Sequence, residues 1–126
     1  FTYCFMPFCG TFYNSNIVNA AFELNCPVKV VPGYAGKQSA LSISQPNVVL
    51  TAAKISEDGK GDIIIRLAEE TNNYTMCSVK LGFAVKEAYL TNMLEEDAEC
   101  VAVTNDTIKL TFREFEVKTI RLKVKQ

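Results

Sequence analysis

Histidine is absent from all 126 residues. That removes the commonest general base and the commonest metal ligand together. It also excludes Ser-His-Asp and Cys-His nucleophilic arrangements. The six glycines form no phosphate-cradling loop. No apolar run approaches the ~18 residues of a membrane span. Neither sign of charge dominates: 13 Lys and Arg stand against 14 Asp and Glu, for a net charge of −1. Such a balance offers no electrostatic footprint for nucleic acid or for an anionic membrane surface. A basic leader region and a small-residue cleavage site are both missing, so no signal peptide is expected. The first residue is Phe rather than Met, and the expectation is a piece of a longer chain. Internal repeats, low-complexity stretches and a dividing linker are absent too, which predicts one domain over residues 1–126.

What the chain does contain is apolar side chains, at 48% of residues, ample for a single core. Five cysteines stand at 4, 9, 26, 77 and 100, an odd number at spacings that match no zinc pattern. They are expected to be reduced, mostly buried thiols acting as small hydrophobes, in a cytoplasmic setting.

The patterning is that of short strands. Residues 1–8 alternate aromatic and smaller side chains, as in a strand. Asn14 or Ser15 is placed to cap a short helix, with Ile17, Ala20, Ala21 and Leu24 on one face, and Pro27 stops it. Val28–Val31 reads as a short strand, followed by a Pro32-Gly33-Tyr34-Ala35-Gly36 loop. Leu41–Ser44 is a further strand. Val48–Ile55 and Ile63–Leu67 then flank Glu57-Asp58-Gly59-Lys60-Gly61-Asp62, a hairpin whose glycines accept positive φ. Tyr74–Leu81, Phe83–Leu90, the short run 101–103, Ile108–Phe112 and Val117–Val124 complete the set. In the last of these, Val117, Thr119 and Arg121 oppose Lys118, Ile120 and Leu122. The prediction is an all-β, antiparallel β-sandwich of roughly nine short strands with one short helix near the N-terminus.

Glycoside chemistry would require two carboxyl groups facing one sugar. Glu69 and Glu70 are neighbours on a strand and point to opposite faces; they and Glu95/Glu96 read as solvated charge. Asp58 and Asp62 read as parts of a plain hairpin turn, lacking the further ligands of a calcium loop. Catalytic and metal-binding residues are therefore expected to be none. Arg66, inside an apolar strand, reads as an outward residue paired with a cross-strand acid, with Glu116 as candidate partner; a sugar contact is the other reading. Residues 1–27 carry one charged side chain, Glu23, although charged residues make up 21% of the chain. Phe1, Tyr3, Phe5, Phe8, Phe12 and Tyr13 are thus a candidate docking surface, through which the isolated chain is expected to self-associate.

Three stretches also resemble one known family. Asn47-Val48-Val49-Leu50-Thr51-Ala52-Ala53-Lys54, the acidic Gly-rich turn and Ile65-Arg66-Leu67-Ala68-Glu69 are similar to the C-terminal β-sandwich of the glycoside hydrolase family 38 α-mannosidases. Phe115-Glu116-Val117-Lys118-Thr119-Ile120-Arg121-Leu122 resembles that family's closing Pro-Phe-Glu-Ile-Lys-Thr-Leu-Arg-Leu. Phe1-x-Tyr3-x-Phe5-x-Pro7-x-x-Gly10 and Ala21-Phe22-x-Leu24-Asn25-x-Pro27 resemble its Phe-x-Tyr-x-Leu-x-Pro-His-x-Gly and Ala-x-x-Leu-Asn-x-Pro. Phe8, Ala68 and Glu114 stand where the family often has His, Tyr and Pro. The resemblance implies a parent that hydrolyses terminal α-mannosides with retention. It also implies a carboxylate nucleophile, a general acid and a divalent metal, normally zinc, in another domain. This segment is then expected to be non-catalytic, to hold no cofactor and to partner the remaining domains of its own chain, meeting α-mannoside only through the parent. The alternative is a free-standing carbohydrate-binding or adhesive β-sandwich.

Overall fold

The structure is a computed structural model that describes residues 3–34, 36 and 38–124. The chain separates into two compact units, Phe1–Ala35 and Gly36–Gln126.

Among its described residues, the larger unit holds nine strands: β1 (Leu41–Ile43), β2 (Val48–Ile55), β3 (Ile63–Glu69), β4 (Thr75–Leu81), β5 (Val85–Thr91), β6 (Asp97–Val101), β7 (Val103–Thr104), β8 (Thr107–Phe112) and β9 (Val117–Val124). They form two antiparallel sheets, a four-stranded one ordered β1-β4-β8-β7 and a five-stranded one ordered β2-β3-β9-β5-β6. The fold is the expected all-β sandwich. The run 101–103, which reads as one short apolar strand, is the point where the chain leaves one sheet for the other: β6 ends at Val101 and β7 begins at Val103.

The core lies between the sheets. From the five-stranded sheet come Val48, Ile65, Leu67, Val85, Ala88, Ile120 and Leu122; from the four-stranded sheet come Cys77, Val79, Leu81, Ile108, Leu110 and Phe112. The period-2 alternation puts Ile120 and Leu122 inward and leaves Thr119 and Arg121 on the opposite face. That opposite face is not solvated as the alternation implies: Ile64, Ala68, Thr119 and Arg121 are all buried. Gly59 and Gly61 take φ of 72° and 78° in the β2–β3 turn, as that tight connection requires. Gly82 serves another need. A Cβ there would come within 2.0 Å of the Ser39 carbonyl oxygen, so only glycine lets the two backbone segments approach.

The smaller unit contains a 3-10 turn at Phe12–Asn14 and one helix, α1 (Ile17–Asn25). Asn16, rather than Asn14 or Ser15, occupies the N-cap, and no side chain caps the helix there. Ser15 instead donates its hydroxyl to the Phe12 carbonyl at 2.7 Å, closing the preceding turn. The Cys26 N–H reaches the Phe22 carbonyl at 2.8 Å and Pro27 ends the helix as expected. Two expected strands are not formed: residues 3–8 and 28–31 lie in no strand. Phe1 and Thr2 lie outside the described residues. β-propensity cannot make a strand without a neighbouring backbone to share its hydrogen bonds. Among the described residues, no helix is long and apolar enough to cross a membrane.

Candidate functional site

Two knots of polar side chains stand out in the sandwich, each joining elements far apart in sequence. The first is centred on Glu69 at the end of β3, a residue 2% exposed and not the solvated charge its position suggests. Its Oε1 accepts from Thr71 Oγ1 at 2.6 Å, Thr71 N at 2.8 Å and Asn47 Nδ2 at 2.9 Å. Its Oε2 accepts from Phe115 N at 3.0 Å. Burial pushes the carboxyl up, but these four donors outweigh it, from the Thr71 hydroxyl and the Phe115 amide to the Asn47 amide. They hold the group at about 2. Phe115 itself sits at φ 54°, and the carboxylate satisfies the N–H of that turn.

The second knot is built on Arg121 of β9, 6% exposed. Its Nε donates to Asp62 Oδ2 at 2.9 Å, Nη1 donates to the Glu95 carbonyl at 3.1 Å, and Nη2 donates to Asp58 Oδ2. Asp58 also accepts from Ser56 Oγ at 2.8 Å and Lys60 N at 3.2 Å. The Ser56 hydroxyl is the main cause that holds Asp58 well below the usual carboxylate range, with Lys60 and Arg121 adding to it against the cost of burial. Glu95 takes φ 65° in the β5–β6 turn and points its carboxylate at Lys54 Nζ, 2.7 Å away, and at the Glu57 N–H, 2.9 Å away. The hairpin turn and the β5–β6 turn are thus clamped on one guanidinium. Between them lies a surface cleft of about 430 Å³ lined by Glu57, Asp58, Leu94, Glu95, Glu96 and Arg121.

Arg66 and Glu116, the candidate pair, are not brought together. Arg66 lies opposite Thr119 in the β3–β9 ladder and donates Nε to the Thr119 hydroxyl at 3.2 Å. Glu116 instead meets Lys118 at 3.2 Å and Arg113 at 3.3 Å. Of the candidate docking aromatics, Tyr3, Phe5, Phe8, Phe12 and Tyr13 are exposed, Phe5 at 88%, and Phe1 lies outside the described residues. The cysteines depart from expectation: only Cys77 is buried, while Cys4, Cys9, Cys26 and Cys100 are exposed.

The shifted carboxyls in these knots run opposite to the acid of a glycosidase centre. Such a centre needs a carboxyl whose pKa is raised so that it can donate a proton near neutrality. Asp58, Glu69, Glu87, Glu95 and Glu116 are all shifted the other way. The donor set does not fit a zinc ion either. The chain has no histidine, and among the described residues no three Cys, Asp or Glu side chains converge as metal ligands.

Residues 47–120, more than half of the chain, match the family described as the glycosyl hydrolases family 38 C-terminal beta sandwich domain. The chain belongs to this family. The family 38 sandwich is also 33% identical over 130 aligned positions to alpha-mannosidase 2C1 of Homo sapiens and 31% identical to alpha-mannosidase 2C1 of Mus musculus. Each match covers 97% of this chain, and the chain spans 12% of the length of those relatives. Two of the stretches that carry the family resemblance, residues 47–69 and 115–122, supply most of the knot residues. Asn47, Glu69 and Phe115 close the first, and Lys54, the acidic Gly-rich turn and Arg121 build the second. In this family 38 sandwich those residues fasten strand ends and turns to one another.

Proposed function

We propose that this chain is the non-catalytic C-terminal sandwich of an α-mannosidase-like glycoside hydrolase, and that it docks to and stabilises the catalytic part of that enzyme. The observation that carries the reading is the match of 97% of the chain to 12% of alpha-mannosidase 2C1. An enzyme assembled in this way would hydrolyse terminal α-mannosides with retention, using carboxylates and a divalent metal that lie outside these residues. The lowered carboxyl pKa values and the unsuitable donor set support the non-catalytic role. The exposed aromatics Phe5, Phe8, Phe12 and Tyr13, in a stretch almost free of charge, support the docking role. Four exposed thiols, Cys4, Cys9, Cys26 and Cys100, support a reducing, cytoplasmic setting.

The purified chain, incubated with an aryl α-mannoside with and without added zinc, is expected to give no turnover. Hydrolysis that co-purifies with the chain to homogeneity would overturn the non-catalytic assignment.

A further inference from the structure

We propose that Val28–Val31 becomes a short edge strand by strand addition, pairing its backbone with a sheet in the remainder of an α-mannosidase-length polypeptide. The proposal rests on the docking role above and specifies how that docking is made.

Three observations carry it. Val28, Val30 and Val31 are 91%, 92% and 77% exposed, so three β-branched side chains suited to a pleated, half-covered surface have no such surface among the described residues. Among the described residues, the backbone of 28–31 makes no hydrogen bond, so its donors and acceptors remain available to a second chain segment. Pro27 and Pro32 bracket the four residues. Proline cannot donate to a ladder and is confined to strand ends and edges, so the pair sets the length of one short edge strand.

The occupant follows from the extents of the two matches. The family of C-terminal sandwiches begins at residue 47, whereas the similarity to alpha-mannosidase 2C1 covers 97% of the chain. Strand β1 at Leu41–Ile43 belongs to the sandwich, so it is the segment Phe1–Ala35 that is shared with the mannosidases yet lies outside the sandwich unit. No residue from 3 to 13 or from 15 to 34 is buried. A segment that is part of the longer protein, outside this sandwich and without a core of its own, fits a structure whose other strands lie in the rest of that protein. Strand addition is a recognition mode that uses such free backbone groups.

Hydrogen–deuterium exchange tests this on the 126-residue chain and on an α-mannosidase-length polypeptide that contains it. Amides of Lys29, Val30 and Val31 are expected to exchange freely in the chain alone and at least about 100-fold more slowly in the longer polypeptide. Successive N–H groups of a strand point to opposite edges. Of Val30→Pro and Val31→Pro, one must therefore abolish the protection, while Val30→Thr and Val31→Thr, which keep the N–H and the β-branch, must retain it. Protection of Phe5, Phe8 and Phe12 from covalent labelling in the longer polypeptide, with amides 28–31 still exchanging freely, overturns strand addition but leaves docking standing. Neither kind of protection overturns both. Concentration-dependent protection of 28–31 in the chain alone makes the partner a second copy and overturns the proposal, as does tolerance of both prolines.

Discussion

Replacing Glu69 by glutamine tests whether the first polar knot works as described. The carboxylate is buried, and four donors lower its pKa from an ordinary 4.5 to about 2. At ~1.4 kcal/mol per pH unit, that preference for the charged form corresponds to roughly 3 kcal/mol of stability near neutrality. The folded pKa lies below the unfolded one. This contribution is therefore complete above about pH 4.5 and is lost as the pH falls toward 2. Glutamine keeps the volume but removes the charge. If its carbonyl oxygen faces the three donors on the Asn47 and Thr71 side, its NH2 group is turned against the Phe115 N–H. Glu69→Gln is expected to cost on the order of 3 kcal/mol at pH 7. The difference from wild type should shrink toward about 1 kcal/mol near pH 2.5, where the wild-type carboxyl begins to protonate too. Urea unfolding followed by far-UV circular dichroism suits a chain without tryptophan. A difference that stays constant from pH 7 to pH 2.5, or a variant as stable as wild type, would refute the hydrogen-bonded carboxylate as the clamp.

Three further outcomes are expected. Gly82→Ala should destabilise the sandwich by about 1–3 kcal/mol, because the new methyl meets the Ser39 carbonyl at 2.0 Å; urea midpoints check it, and an unchanged midpoint contradicts the close approach. Arg121→Met should cost on the order of 3 kcal/mol, since it leaves Asp58 and Asp62 facing each other without their cation, and thermal melts at pH 7 should show it. A thiol reagent added to the native chain should label Cys4, Cys9, Cys26 and Cys100 quickly. Cys77, buried with its thiol pKa raised by that burial, should react only on unfolding, and mass spectrometry distinguishes the two groups.

Much of the sandwich was legible because alternation is a local signal. The β2–β3 hairpin could be read from two apolar runs around Gly59 and Gly61, and β9 from Ile120 and Leu122 alternating with Thr119 and Arg121. The knots were not legible, because their partners are remote. Glu69 is tied to Phe115, 46 residues on, and Arg121 to Asp62, 59 residues back, and nothing local marks such a carboxylate as buried. Arg66 shows the same limit: its strand position was clear, but its cross-strand neighbour proved to be Thr119. The expected strands at residues 3–8 and 28–31 reflect real β-propensity in segments that have no sheet to join within the described chain. The N-terminal aromatics were singled out by the lack of charge around them, a compositional signal that needs no knowledge of partners.

The central claim is that these residues serve a larger mannosidase by docking and stabilising rather than by chemistry. The most direct measurement compares an α-mannosidase-length polypeptide with and without the segment Phe1–Gln126, scoring thermal stability and aryl α-mannoside turnover together. The account predicts that removal lowers the melting temperature of the remainder by several degrees or more, and that turnover is lost along with its fold. A truncated protein that melts at the same temperature and keeps full turnover would contradict it.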